Sequence, residues 1–294
     1  MLRLPIEIIL EIFEIAALTR PDTCNTLMLV SHAAYAVVEP FAYNARVLRT
    51  PADVRVFESF MGRCPAPILA LHIKAIAIDL AMPGLWTQLL LAHLPGLQHL
   101  AVTSAIDLPG NHSVNSLRTL DVLYRDDDAW NPERQPCPQA LQCFTNLTHL
   151  RIGQLPTQSS SLLIEDPTVL PSLTHLAFAT LPPGSHVHAL VHLRHACLRI
   201  LAPETRPKLQ LLVACGAQSV LARRPTISLA SIENDRFVLL AESEHDSEES
   251  RLHDWVERTR NIGTGDKGFW NNAEMHGRLQ MARRALTAYM SLTT

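Results

Sequence analysis

Three rhythms of apolar residues run along the chain. In the opening stretch, Leu4-Pro5-Ile6-Glu7-Ile8-Ile9-Leu10-Glu11-Ile12-Phe13, the polar positions Glu7, Glu11 and Glu14 share one narrow stripe of a helix, and aliphatic side chains cover nearly all the rest. A second apolar stretch follows at Leu27-Met28-Leu29-Val30 and continues through Tyr35, Val38 and Tyr43. Thr50-Pro51-Ala52-Asp53 then reads as a helix start, with Thr50 as the cap and Pro51 in the first turn, leading into Val54, Phe57 and Met61 at helical spacing. From about residue 67 the rhythm shortens to triplets spaced i, i+3, i+5: Ile68, Leu71, Ile73; Leu97, Leu100, Val102; Leu117, Leu120, Val122; Leu147, Leu150, Ile152; Leu173, Leu176, Phe178. A sixth triplet starts at Leu209. Each predicts a turn residue followed by a short strand with two side chains on one face, so strands are expected to begin near residues 71, 100, 120, 150 and 176.

The segments between triplets supply the return path. Residues 85–93 and 187–201 read as helices, and the stretches at 126–138 and 156–161 as loops. Beyond them, Thr226–Leu229 and Arg236–Leu240 are strand candidates, Glu242–Ser250 is an acidic, serine-rich loop, and a helix is expected from about Asn272 to Ser291. The local text recurs as Leu-Gln-His-Leu-Ala-Val, Leu-Arg-Thr-Leu-Asp-Val, Leu-Thr-His-Leu-Arg-Ile and Leu-Thr-His-Leu-Ala-Phe at intervals of about 20 to 30 residues, the period of leucine-rich repeats. The family's Asn or Cys after the strand is missing, which makes these degenerate copies. Stacked in register, such repeats form a solenoid with a parallel sheet on its concave side. The outward strand positions would then hold a target protein: His72, Lys74, His99, Thr103, Thr119, Asp121, His149, Arg151 and His175. Trp255, Phe269 and Trp270 would close the exposed end of the stack.

The head carries more large aliphatics than a helical unit of about forty-five residues can bury. Each one left in water forgoes about 1.5–3 kcal/mol, so part of the surface is expected to dock on another protein. Residues 2–45, with the Leu-Pro-x-Glu-Ile opening and the Leu29-Val30-Ser31 stretch, resemble an F-box. Many F-boxes have a basic residue and a Trp shortly after the Val-Ser pair, where this chain has Ala33, Ala34 and Tyr35. The resemblance implies a three-helix module that binds the adaptor subunit of an SCF-type ubiquitin ligase and, through it, a cullin. The adaptor-binding and supporting residues would be Leu4, Pro5, Ile8, Ile9, Ile12, Leu29 and Val30. The closing segment, a short strand before a Trp-containing helical tail, is similar to that of F-box proteins from mushroom-forming fungi. These expectations combine into an α/β protein: an F-box-like helical module at 1–48, a connector helix at 49–66, a leucine-rich-repeat-like solenoid at 67–240, and an acidic loop with a C-terminal helical cap at 241–294. Its function would be substrate recognition within the ligase complex. The alternative is a ligase-independent interaction scaffold.

Composition narrows the remaining possibilities. The 294 residues are 47% hydrophobic but only 5% aromatic, so aliphatic packing must dominate, as stacked repeats require. With 25 basic and 28 acidic residues and no basic cluster, nucleic-acid binding lacks an electrostatic footprint. The six cysteines form no C-x-x-C pair or regular framework, which suits a reducing interior. No membrane segment or secretory signal is read, so a cytoplasmic or nuclear location is expected, and the Asn111 and Asn146 glycosylation patterns carry no weight. No cofactor is implied. Gly263–Gly268 lacks the Lys-Ser/Thr pair of a phosphate loop, and neither a nucleophile elbow nor H-E-x-x-H occurs, so a binding protein is expected rather than an enzyme. His188 and His192 are spaced for a shared helical face, but an amphipathic helix explains them without a metal.

Overall fold

The computed structural model describes residues 4–19, 23–78, 84–103, 116–122, 143–153, 164–181, 187–217, 229, 232–242 and 269–292. Three helices form the head: α1 (Ile6–Thr19), α2 (Cys24–Met28) and α3 (His32–Asn44). Ser31 caps α3 by accepting a hydrogen bond from the Ala34 amide at 3.0 Å, so the Ser of the Leu-Val-Ser stretch has a local structural task. The head's core is small, built on Ala17, Cys24 and Val38 with Phe13, Leu27 and Phe41 packed around them. α3 runs directly into the first strand, β1 (Ala45–Leu48). Residues 45–48 therefore already belong to the sheet.

Helix α4 (Pro51–Arg63) begins with the expected cap: the Thr50 hydroxyl accepts from the Asp53 amide, and the Asp53 carboxylate accepts in return from the Thr50 amide at 2.8 Å. Tyr43 of α3 stacks on Phe60 of α4 with ring centroids 5.2 Å apart, which ties head to body. A helix not foreseen from the sequence follows, α5 (Ala66–His72), and only then comes β2 (Ala75–Ile78). The strand expected near residue 71 is thus displaced by four residues. The true first triplet is Ile73, Ile76 and Ile78, all buried, whereas Ile68 and Leu71 are exposed on α5. Aliphatics at 68, 69, 71, 73, 76 and 78 satisfy the triplet in two registers, and Pro67 in the first turn favours a helix start in the first of them.

The remaining elements are α6 (Gly84–His93), β3 (His99–Val102), β4 (Thr119–Val122), β5 (His149–Ile152), β6 (His175–Leu181), α7 (Val187–Ile200), β7 (Leu211–Ala217), β8 (Phe237–Glu242) and α8 (Phe269–Leu292). All eight strands pair in parallel and in chain order, β1 beside β2 through to β8. Each strand is therefore the template for the next. Register places Ile76, Leu100, Leu120, Leu150, Leu176, Leu212 and Phe237 in one row. This row and its partner two residues on face α4, α6 and α7, forming the main core with Val54, Phe57, Leu90, Leu94, Leu193 and Ile200. A repeated hydrogen bond locks the step between strands. The carbonyl of Lys74 accepts from the amides of both Gln98 and His99, and the same fork recurs from Gln98 to Arg118 and Thr119, from Arg118 to Thr148 and His149, and from Thr148 to Thr174 and His175.

Arginines do comparable work in the turns. Buried Arg206 donates to the carbonyls of Ile164, Leu170 and Asp166, and desolvation pushes its pKa down to about 10, still well above neutrality. The opposite face of the sheet has its own core. Ala177, Leu211, Val213, Cys215, Val238 and Leu240 point there and pack against Trp270 and Ala273 of α8. Phe269 and Trp270 therefore do not close the end of the stack as expected from sequence but cover one face of it; Trp255 and residues 243–250 of the acidic run lie outside the described residues. The strand candidate at 226–229 and the loops at 126–138 and 156–161 lie outside the described residues, apart from buried Leu229.

Two glycines give opposite tests of this packing. A Cβ on Gly96 would lie 2.7 Å from the Ala70 carbonyl carbon and closer still to its oxygen, where backbone cannot yield, so Gly96→Ala should lower the denaturation midpoint strongly. Gly62→Ala meets nothing within 4 Å near the end of α4 and should be neutral or stabilising by up to about 1 kcal/mol. Equal effects in denaturant titrations would show that the α5 contact at Gly96 is wrong.

Candidate functional site

The head presents the surface that its composition demanded. Leu4, Pro5, Ile8, Ile12, Leu29 and Val30 are exposed, and Ile9 is half-buried. The three-helix core is filled without them, by Ala17, Cys24, Val38 and their neighbours. Ile8 and Ile12 lie one turn apart on α1, so their side chains share a face. Leu29 and Val30 form the turn between α2 and α3, where the Leu29 and Val30 amides are held by the carbonyls of Thr26 and Leu27. That turn lifts two aliphatic side chains into solvent on a fixed backbone.

On the body, the residues expected to face a target separate into two groups. His72 is the last residue of α5, and Lys74 lies in the link before β2 with its ammonium donating back to the Ala70 carbonyl, so neither is a strand residue. Both follow the displaced register described above. Thr103 lies just past β3, its hydroxyl 3.4 Å from the Ile78 carbonyl. The second group lines up as the triplets implied: His99, Thr119, His149 and His175 occupy one register row, and Asp121 pairs with Arg151 in the row two residues on. Cross-strand neighbours in such rows contact directly.

A separate finding concerns what meets this row. His149 and His175 stack with centroids 4.3 Å apart, and Trp270 of α8 packs edge-on against both, at 5.1 Å and 5.6 Å. Thr148 and Thr174 hydroxyls hold the Nδ1 atoms of the two rings at 2.8 Å, which presents Nε2 of His175 to the Glu274 carboxylate at 3.3 Å. The Arg151 guanidinium lies 4.3 Å from the centre of the Phe269 ring. Three of the nine anticipated target residues, His149, Arg151 and His175, are therefore engaged by the chain's own C-terminal helix. Sequence reasoning missed this, although Phe269 and Trp270 directly preceding an acidic residue four positions on were a visible signal of a helix that could answer a His and Arg surface.

His99 is farther along the row, away from these α8 contacts. Burial pushes its imidazole down to about 4 from the ordinary 6.5. Of the two histidines weighed for a metal, His192 is exposed on α7, and among the described residues no group of three potential ligands comes together. No disulfide joins Cys24, Cys64, Cys143, Cys197 or Cys215, and burial pushes the Cys197 thiol up to about 12, which suits a packing role. No described helix is long and apolar enough to cross a membrane. What these observations define is an α/β protein with an eight-stranded parallel sheet, helices along one face and a C-terminal helix on the other. No family model matches the chain, and no curated protein or solved structure matches it either.

Two predictions follow from this geometry. Trp270→Ala removes the ring that joins both histidines to the second core and should cost about 3–5 kcal/mol in denaturant unfolding; a change below about 1 kcal/mol would mean that α8 does not hold this face. For His99, the folded pKa is depressed below the unfolded one. The unfolded chain therefore takes up a proton that the native protein does not, and stability falls as pH drops from 6.5 to about 4, with no further loss from this group below that. His99→Gln should flatten the pH dependence of the melting temperature across that window. An unaltered slope would show that His99 is not the group responsible.

Proposed function

We propose that this protein is a substrate-recognition subunit of an SCF-type ubiquitin ligase, with the helical head as an F-box docking on the adaptor and the leucine-rich-repeat-like body holding a target. The observation that carries the reading is the mismatch between the head's filled core and its uncovered aliphatics: Ile8 is 42% exposed, Ile12 48% and Leu29 87%. Leaving such side chains in water is costly, and burying them against one partner recovers about 1.5–3 kcal/mol for Leu29 and roughly half that for Ile8 and Ile12. The Leu-Pro-x-Glu-Ile opening lies at the start of α1 and the Leu-Val-Ser stretch in the turn before α3, and Leu4, Ile8, Leu29 and Val30 are all exposed. Their placement agrees with an F-box.

Such a protein performs no bond chemistry. It contributes proximity: one surface holds the ligase core, the other holds the target, and the geometry between them sets which target groups meet the transferred ubiquitin. The Tyr43–Phe60 stack and the direct passage of α3 into β1 support this reading, because they mount the head on the body without a free linker. A cytoplasmic or nuclear setting accords with the cysteines that no disulfide joins. Within the sheet, Thr119 lies outside the α8 contacts described above and is the strand position best suited to a target.

The test is capture of the adaptor and cullin by the full chain. Ile8→Asp combined with Ile12→Asp places two charges on the docking face and should abolish capture, while the circular dichroism and melting of the body stay unchanged. Undiminished capture by the double variant overturns the F-box reading. Target binding without any adaptor capture by the native chain would instead favour a ligase-independent scaffold.

A further inference from the structure

Helix α8 is apolar on two opposite sides. One side, carrying Trp270, Ala273 and Gly277, lies on the sheet, where Gly277 lets the helix approach Val238 so closely that an added Cβ would be 3.0 Å from its methyl group. Farther along the same side, Arg284 anchors the helix by an ion pair to Asp235 at 3.6 Å and a hydrogen bond to the Ile232 carbonyl. The other side carries Met275, Leu279, Ala282 and Leu286 at spacing i, i+4, i+7, i+11, a single stripe pointing away from the sheet. Met275 is 54% exposed, Leu279 51% and Leu286 60% with the whole chain present. An amphipathic helix needs no second apolar stripe to pack on a sheet, so its own fold does not explain these residues.

We propose that this outward stripe is a docking surface for an amphipathic helix of a protein partner, with a Leu-like apolar face and acidic rims. The rims of the stripe determine the chemistry. Arg278 borders it on one side and His276 and Arg283 on the other, all exposed, while the helix's carboxylate, Glu274, is turned toward His175. A partner helix thus meets apolar side chains in the centre and positive charge at the edges, and acidic flanks complement it. A second copy of this chain would set basic rim against basic rim. The chain's own acidic run, residues 243–250, has no apolar side chain with which to cover the stripe. Three large apolar residues on a helix pinned along its other side form a narrow ridge suited to a groove between side chains rather than to a lipid surface. Calling this partner the ligase target rests on the function proposed above, but the surface itself does not.

The experiment uses the full chain and two synthetic helical peptides, each with Leu at i, i+4, i+7 and i+11, one flanked by Glu and the other by Lys. The Glu-flanked peptide should bind at least about tenfold more tightly, and its affinity should fall as salt rises. Leu279→Glu with Leu286→Glu should reduce binding by about tenfold or more, and the milder Leu279→Ala with Leu286→Ala should weaken it in a protein with unchanged melting. Equal affinity for the two peptides, or binding indifferent to both double variants, overturns the proposal. So does stronger binding to phosphatidylcholine vesicles containing phosphatidylserine, or self-association in sedimentation that the Glu variants abolish. Adaptor capture is measured on the same samples. Retained capture without peptide binding refutes this surface alone, whereas peptide binding without capture refutes the ligase reading alone.

Discussion

The row of aliphatic side chains from Ile76 through Leu100, Leu120, Leu150, Leu176 and Leu212 to Phe237 is the constraint on which the rest of the molecule depends. Each strand contributes only four to seven residues, too few to be stable as an isolated pair. Stability comes from stacking. One strand's inward Leu is buried by those before and after it, and the forked hydrogen bonds at Lys74, Gln98, Arg118, Thr148 and Thr174 hold successive strands in one register. A slip of one residue would turn the whole row to the other face, exposing the leucines and burying His99, Thr119 and His149. Register is therefore decided by the same side chains that form the core.

A sheet ordered this way has a second face, and its character changes along the stack. Around β5 and β6 it is polar, with His149, Arg151 and His175; around β7 and β8 it is aliphatic, with Leu211, Val213, Val238 and Leu240. Helix α8 answers both parts. Its first two turns offer Phe269, Trp270 and Glu274 to the polar strands, and Ala273 and Gly277 lie over the aliphatic ones. Small residues at the second contact let helix and sheet backbones approach. The buried ring at the first spreads over two strands at once, so the helix is fixed in both position and rotation.

That fixed rotation links structure to the functional reading. Because α8 occupies the sheet from β5 to β8, the surface expected to hold a target is shortened toward β3 and β4, and α8 adds a new surface of its own. The head, mounted through α3, β1 and the Tyr43–Phe60 stack, lies at the β1 end of the sheet, and α8 crosses the other end. Two exposed apolar faces thus sit toward opposite ends of the sheet.

The sequence by itself determined the periodicity and therefore the parallel strands at β3 to β7, the connector helix with its Thr50 and Asp53 box, and the alignment of His99, Thr119, His149 and His175. Those features depend on spacing that each segment carries locally: i, i+3, i+5 for a strand entered through a turn, and a cap followed by apolar residues for a helix. It also determined that the head carries more aliphatic side chains than its own core can take. Only the tertiary structure decided between the two registers open to residues 66–78, because Ile68 and Leu71 fit the triplet as well as Ile76 and Ile78 do, and burial against Leu100 and Val102 selects the second pair. The occupant of the sheet's second face was likewise decided at long range. The contact between Trp270 and His149 joins residues more than a hundred positions apart, and no local spacing encodes which face of a sheet a distant helix will choose.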